Sequence, residues 1–170
     1  VLDACKAAKQ AGLTVSCDLN FRKNLWTSEK AGKTMARFMP FVDVCIANEE
    51  DAEKVFGIKA HDTDVTSASL SHEGYKDVAK QLTDRFGFKA VAITLRGSIS
   101  ASDNTWAAML FVDGNYHFSR EYPVHIVDRV GGGDSFAGGL IYAMLNKMGP
   151  QDTLEFAVAN SCLKHSVEGD

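Results

Sequence analysis

The sequence predicts an α/β fold, a mostly parallel sheet with helices on both faces, and three observations carry that expectation. Segments with apolar residues at helical spacing alternate with short apolar runs, the pattern of strands buried on both sides. Glycines or polar clusters close most of these segments. Near the C-terminus a strand-like run passes through three glycines into a helix that is apolar almost throughout, in the stretch DRVGGGDSFAGGLIYAML from Asp128 to Leu145. With 170 residues, 45% hydrophobic and 24% charged, the composition fits one globular domain with a sizeable core.

Taken in order, residues 2–11 have helical periodicity and stop at Gly12, and LTVSCDL at 13–19 reads as a strand. Ser28 is a candidate cap for a helix reaching about Phe38. FVDVCIA at 41–47 suits a buried strand, and NEEDAEKVFG is a short helix that begins acidic and ends at Gly57. Residues 58–72 are rich in Ser, Thr and Asp and read as a surface loop or insertion. A helix over 73–87 and a strand over 89–96 follow. NTWAAMLFVDG and NYHFSR form an antiparallel pair joined at Asp113-Gly114, a favoured hairpin dipeptide. A strand at 122–127 and helices at 134–148 and 152–167, separated by Gly149-Pro150, complete the chain. In such sheets ligands gather at the carboxyl ends of strands, which directs the chemical reading to the loops after residues 19, 47, 95 and 127.

A net charge of −4 provides no global attraction to nucleic acid or an anionic membrane. No apolar stretch reaches the length of a membrane span, and the N-terminus lacks the basic start and apolar core of a signal peptide, so the expected location is cytoplasmic. Cys5, Cys17, Cys45 and Cys162 lie far apart without a C-x-x-C pair and are expected to be reduced, buried thiols. The opening VLDACKAAKQAG reads as the body of a helix beginning at Val1, which suggests a fragment.

The glycine stretch carries the main chemical signal. GGGD at the start of a helix gathers unpaired backbone N–H groups at the positive end of the helix, a setting for phosphate. Gly131, Gly132 and Gly133 let the backbone approach an anion without a Cβ in the way. Asp134 faces the same spot and is placed to accept a proton from an attacking hydroxyl, with simple helix capping as the competing account. The following helix is expected to be buried all round, with Gly138 and Gly139 serving close packing. GGGDSFAGG does not have the glycine spacing of a dinucleotide fingerprint. KAGKT at 30–34 is not a P-loop, because Thr27 stands where the first glycine is required and the segment reads as helix.

VDRVGGGDSFAGGLIY resembles the D-T-x-G-A-G-D signature of the PfkB, or ribokinase-like, carbohydrate kinases, with Arg129 in place of threonine and Gly132 in place of alanine. CDLNFRKNLW is similar to the D-x-N-x-R-x-x-L-W segment of the 2-keto-3-deoxygluconate kinases within that family, as is the closing ANSCLKHSVEGD. The resemblance implies a partial ribokinase-like domain in which residues 1–170 are the C-terminal nucleotide-binding and catalytic part and the N-terminal sugar-binding half and lid are absent. It implies phosphoryl transfer from ATP, with Mg2+, to a sugar acid, and leaves room for a monovalent cation and for a homo-oligomer of the full-length protein.

On this resemblance Asp134 is the base, and the amides of Gly131 to Gly133 stabilise the transferring phosphoryl group. Arg22 meets the substrate carboxylate or the incoming phosphate. NEEDA resembles the N-x-x-E motif, so Asn48 and Asp51 would handle Mg2+ through water, with Asp51 standing where glutamate is usual and Glu49 and Glu50 open to being helix-start charges. Thr94 and Gly97 stand at the T-x-G position near the nucleotide, and Asn160 at a position near adenine. The alternatives are a sibling kinase for fructose, ribose or 5-dehydro-2-deoxygluconate, and a non-catalytic nucleotide-binding fragment.

Overall fold

The computed structural model describes residues 1–59 and 72–169, so most of the loop expected over 58–72 lies outside the described residues. The described residues contain six α-helices, six strands and one 3₁₀ turn, in the α/β order expected. They form two compact units: one holds Val1–Ile93 with Phe111–Asn115, the other Thr94–Leu110 with Tyr116 onward. The boundaries fall inside three strands, after residues 93, 110 and 115.

The first unit contains α1 (Leu2–Gln10), β1 (Ser16–Asp18), α2 (Ser28–Met35), a 3₁₀ turn (Met39–Phe41), β2 (Val44–Asn48), α3 (Glu49–Phe56) and α4 (His72–Phe86). It also contains the start of β3 (Ala90–Ser98), in the strand order β1-β2-β3. β1 and β2 are parallel, with Ser16, Cys17 and Asp18 opposite Val44, Cys45 and Ile46. Among the described residues two helices, α3 and α4, lie between β2 and β3, in keeping with the crossover that a parallel pair needs. Val44 to Ala47 and Ala90 to Ile93 are buried, as their unbroken apolar runs require.

Gly12 and Gly57 take left-handed φ values of 73° and 68° and end α1 and α3. α2 is capped by Thr27, whose hydroxyl accepts the Lys30 N–H at 3.2 Å, and not by Ser28, which is already helical. It also stops at Met35 instead of about Phe38, because the chain tightens there into three-residue turns, with Phe38 N–H donating to the Met35 carbonyl at 3.0 Å, that lead into the 3₁₀ turn. Gly32, of the rejected P-loop, sits inside α2, where a Cβ would strike the Val55 carbonyl oxygen. Of the four free cysteines, Cys45 is buried as expected, while Cys5, Cys17 and Cys162 are only partly so.

The second unit contains the end of β3, most of β4 (Asp103–Val112) and of β5 (Asn115–Phe118), β6 (Tyr122–His125), α5 (Gly132–Leu145) and α6 (Pro150–Lys164). β4 lies between β3 and β5 and pairs antiparallel with β6, Asp103 opposite His125 and Trp106 opposite Tyr122. Asp113 and Gly114, with φ of 50° and 76°, make the hairpin turn predicted for them. Pro150 opens α6 from its first position, two residues before the expected start.

α5 buries one stripe, including Phe136, Leu140 and Ala143, against α6, and exposes another: Tyr142 is 56% and Leu145 77% accessible. All-round burial was expected, but α6 covers only one side. Gly139 has the packing role predicted for it, since a Cβ there would lie 3.0 Å from Ala157 Cα, whereas Gly138 faces open space. Gly139→Val is therefore expected to destabilise the protein by about 1–3 kcal/mol, read by denaturant unfolding, and Gly138→Ala to leave it unchanged or slightly more stable. No described helix is long and apolar enough to cross a membrane.

Candidate active site

β6 leads into the glycine loop of the second unit, and Asp128 shapes its first turn. The Asp128 carboxylate accepts N–H groups from Val130 at 2.9 Å and Gly169 at 3.0 Å, and these bonds hold its carboxyl below the usual carboxylate range. Arg129 donates from Nη2 to the Ala101 carbonyl at 2.6 Å. Gly131, at φ 77°, is the N-cap of α5 in a left-handed conformation that favours glycine. Helix α5 thus begins at Gly132, two residues earlier than expected.

That start bears on Asp134. It is the third helical residue and not the cap, no side chain caps α5, and its exposed carboxylate has no hydrogen-bond partner among the described residues. The capping account therefore does not explain the residue. The first intrahelical bond is from Ser135 N–H to the Gly131 carbonyl at 2.8 Å, so the Gly133 and Asp134 N–H groups have no backbone acceptor among the described residues. Two free donors and a free carboxylate share one turn, where an anion can be bound and a proton accepted.

Beneath the loop lies a floor that the sequence did not reveal. Ser161 Oγ donates to the Gly132 carbonyl at 2.7 Å, and His165, 3% exposed, lies against Gly132. Asn160 donates from Nδ2 to the Ser135 carbonyl at 2.6 Å, tying α6 to α5 one residue beyond Asp134. Gly97 lies within β3 and not after it, and a Cβ there would overlap Thr105 Oγ1; Thr94 is half-buried three residues earlier in the same strand. The strand pairing of Gly97 and the helix tie of Asn160 are structural duties that no local sequence signal announces.

In the first unit a constructed loop follows β1. Asp18 Oδ1 accepts the Asn20 N–H at 3.1 Å, Asn20 takes φ 35°, and the Arg22 carbonyl accepts the Leu25 N–H at 2.9 Å. Asn48 caps α3 by accepting the Asp51 N–H at 2.7 Å, and buried Asp51 accepts the Phe21 N–H at 3.1 Å. Asp51 therefore anchors the loop that carries Arg22, across 30 positions of sequence.

Arg22 is exposed, and its guanidinium makes no ion pair among the described residues. With Lys23, Trp26, Glu50, Asp51 and Lys54 it lines an open cavity of about 900 Å³. Three cations against two carboxylates leave an excess positive charge suited to a carboxylate or phosphate. The Glu49 side chain lies outside the described residues. No cluster of three His, Cys, Asp or Glu suited to a metal occurs among the described residues. That is compatible with Mg2+, which keeps several waters and draws on one or two carboxylates plus substrate phosphates.

The profile of the pfkB family carbohydrate kinases matches residues 1–170. The chain belongs to this family. A 2-dehydro-3-deoxygluconokinase from Thermotoga maritima is 53% identical to it, with a TM-score of 0.90 over 99% of this chain and 49% of that one. A PfkB family carbohydrate kinase from Listeria grayi is 32% identical, with a TM-score of 0.85 over 99% of this chain and 49% of that one. Among curated proteins, a 2-dehydro-3-deoxygalactonokinase from Haloferax volcanii is 27% identical over 97% of this chain and 45% of its own length. The chain spans about half the length of these relatives. The fold of this carbohydrate-kinase chain is accordingly ribokinase-like, as its glycine loop suggested.

Proposed function

We propose that the complete protein transfers the γ-phosphoryl group of ATP, with Mg2+, to the 6-hydroxyl of 2-keto-3-deoxygluconate, also called 2-dehydro-3-deoxygluconate. The product is 2-keto-3-deoxy-6-phosphogluconate. The observation that carries this reading is the 53% identity to the Thermotoga 2-dehydro-3-deoxygluconokinase across nearly the whole chain. The present chain serves as the nucleotide-binding and catalytic part.

Asp134 accepts the hydroxyl proton as the oxygen attacks the γ-phosphorus, and ADP leaves. The free N–H groups of Gly133 and Asp134 stabilise charge on the transferring group, which is where most catalysis of phosphoryl transfer resides. Thr94, Gly97 and Asn160 belong to the nucleotide side. Asn48 and Asp51 would meet Mg2+ through water, with Asp51 and Glu50 lining the cavity where such a water-clad ion would sit. Bound Mg2+ would offset phosphate charge. Arg22 reads the substrate carboxylate with two parallel charge-assisted bonds.

An ADP-release assay on the complete protein, with 2-keto-3-deoxygluconate, its galacto epimer, fructose, ribose and 5-dehydro-2-deoxygluconate at equal concentration, tests the substrate. A strong preference for the keto-deoxy acid is expected. Arg22→Met should lower kcat/KM for that acid by about 100-fold and barely change the value for a neutral sugar. Equal losses on both would remove Arg22 as the carboxylate reader, and a preference of the unaltered protein for a neutral sugar would remove the acid itself as substrate.

A further inference from the structure

We propose that His165 is a positioning residue for the anion loop, matched to the missing side chain at residue 132. The imidazole fills the volume that a methyl group at 132 would need, and so sets where the Gly133 and Asp134 N–H groups point. The catalytic consequence rests on the kinase reading above; the packing match does not.

A Cβ built on Gly132 would lie 2.7 Å from His165 Cε1 and 2.8 Å from Nε2, closer than atoms pack. The ring has little freedom to yield. It is 3% exposed, its Nδ1 donates to the Ser161 carbonyl at 2.7 Å, and the Trp106 ring lies against it with centroids 4.7 Å apart. Because that carbonyl can only accept, the ring carries a proton on Nδ1 and turns the Nε2 and Cε1 edge to Gly132.

The same turn of α6 holds the loop at two further points. The His165 carbonyl accepts the N–H groups of Val127 at 2.8 Å and Asp128 at 3.3 Å, just ahead of the loop. Ser161 holds the Gly132 carbonyl from below. The approach to the loop, its carbonyl and its Cα are thus all referenced to residues 161–165. His165 acts through Gly132, upstream of the two donors, and displacement of oriented groups by even an ångström costs about 100-fold in rate.

The test uses the complete protein with ATP and 2-keto-3-deoxygluconate, comparing Gly132→Ala, His165→Asn and the double variant. Asparagine can keep the bond to Ser161 while vacating the ring edge that faces residue 132. Gly132→Ala is expected to lower kcat by about 10- to 100-fold with the sugar KM nearly constant, and the double variant to recover most of that loss. Additive losses, or a Gly132→Ala kcat within about twofold of the unaltered protein, would overturn the match. A lowered melting temperature with unchanged kcat would overturn the positioning role. If Gly132→Ala does not accumulate as folded protein, recovery of a folded, active double variant supports the match and its failure overturns it. Should the unaltered protein phosphorylate none of the sugars, the kinase reading fails by itself. The match is then read from melting temperatures alone, where recovery in the double variant supports it and additivity overturns it.

Discussion

Asp134→Asn in the complete protein is expected to lower kcat by about 10²–10⁴-fold, with a melting temperature close to that of the unaltered protein. The substitution keeps the shape of the side chain and removes its ability to take a proton. Little stability should go with it, because the carboxylate is exposed and has no partner among the described residues. What the helix loses is a favourable negative charge in its first turn, an effect that is small at an exposed, salt-screened site. Measured KM values for ATP and sugar acid should change far less than kcat, since the proton moves only as the new bond forms. A kcat equal to that of the unaltered protein would exclude Asp134 as the base. A fall in kcat accompanied by a large drop in melting temperature would instead point to disruption of the loop.

Asp134 shows how far the sequence could be read. Three glycines before an acid and an apolar helix located the loop, but could not separate a base from a cap. The separation came from helix phase: with Gly131 as N-cap, Asp134 lies three residues inside α5. The strand segments of the first unit, the Asp113-Gly114 turn and the ends of α1 and α3 were legible because each depends on residues close together in sequence. Ser28 was the expected cap of α2, and a single hydrogen bond gives that role to its neighbour Thr27 instead.

Contacts across long sequence separations were not legible. The bond between Phe21 and Asp51, and the contact of Gly132 with His165, join segments about 30 residues apart, and no periodic pattern encodes them. Asp51 was read by family analogy as an ion-handling acid, yet its clearest duty is to fix the loop carrying Arg22. The difference between Gly138 and Gly139 arises in the same way, since only the placement of α6 decides which of the two meets a neighbour.

The second large expected effect concerns Asp43, buried at the entrance to β2. Burial pushes its carboxyl up, but hydrogen bonds from Lys9 at 2.7 and 2.8 Å, Val15 N–H at 2.9 Å and Lys89 at 3.0 Å outweigh that and hold it at about 2. Its folded value thus lies below the 3.8 of a free aspartate. Between those values the unfolded chain binds the proton more readily, so this contribution is fully present above about pH 4 and is lost as pH falls towards 2. It amounts to about 2 kcal/mol at neutral pH, taken conservatively because Lys89 is largely exposed. Asp43→Asn should therefore destabilise by about that amount at pH 7 in denaturant unfolding. The difference from the unaltered protein should close as pH is lowered from 4 to 2; a gap constant over that range would show that packing, not charge, is responsible. Asp43→Ala should cost more, about 3 kcal/mol, since the Val15 N–H then loses its acceptor. The Asp43 N–H also donates to the Val15 carbonyl, and its own carbonyl accepts from Lys89 and Ala90. One residue thereby sets the register of β1, β2 and β3 at their amino ends. β1 and β2 deliver the Arg22 loop and Asn48 at their carboxyl ends, so the substitution should loosen the cavity that holds Arg22 before the unit unfolds as a whole.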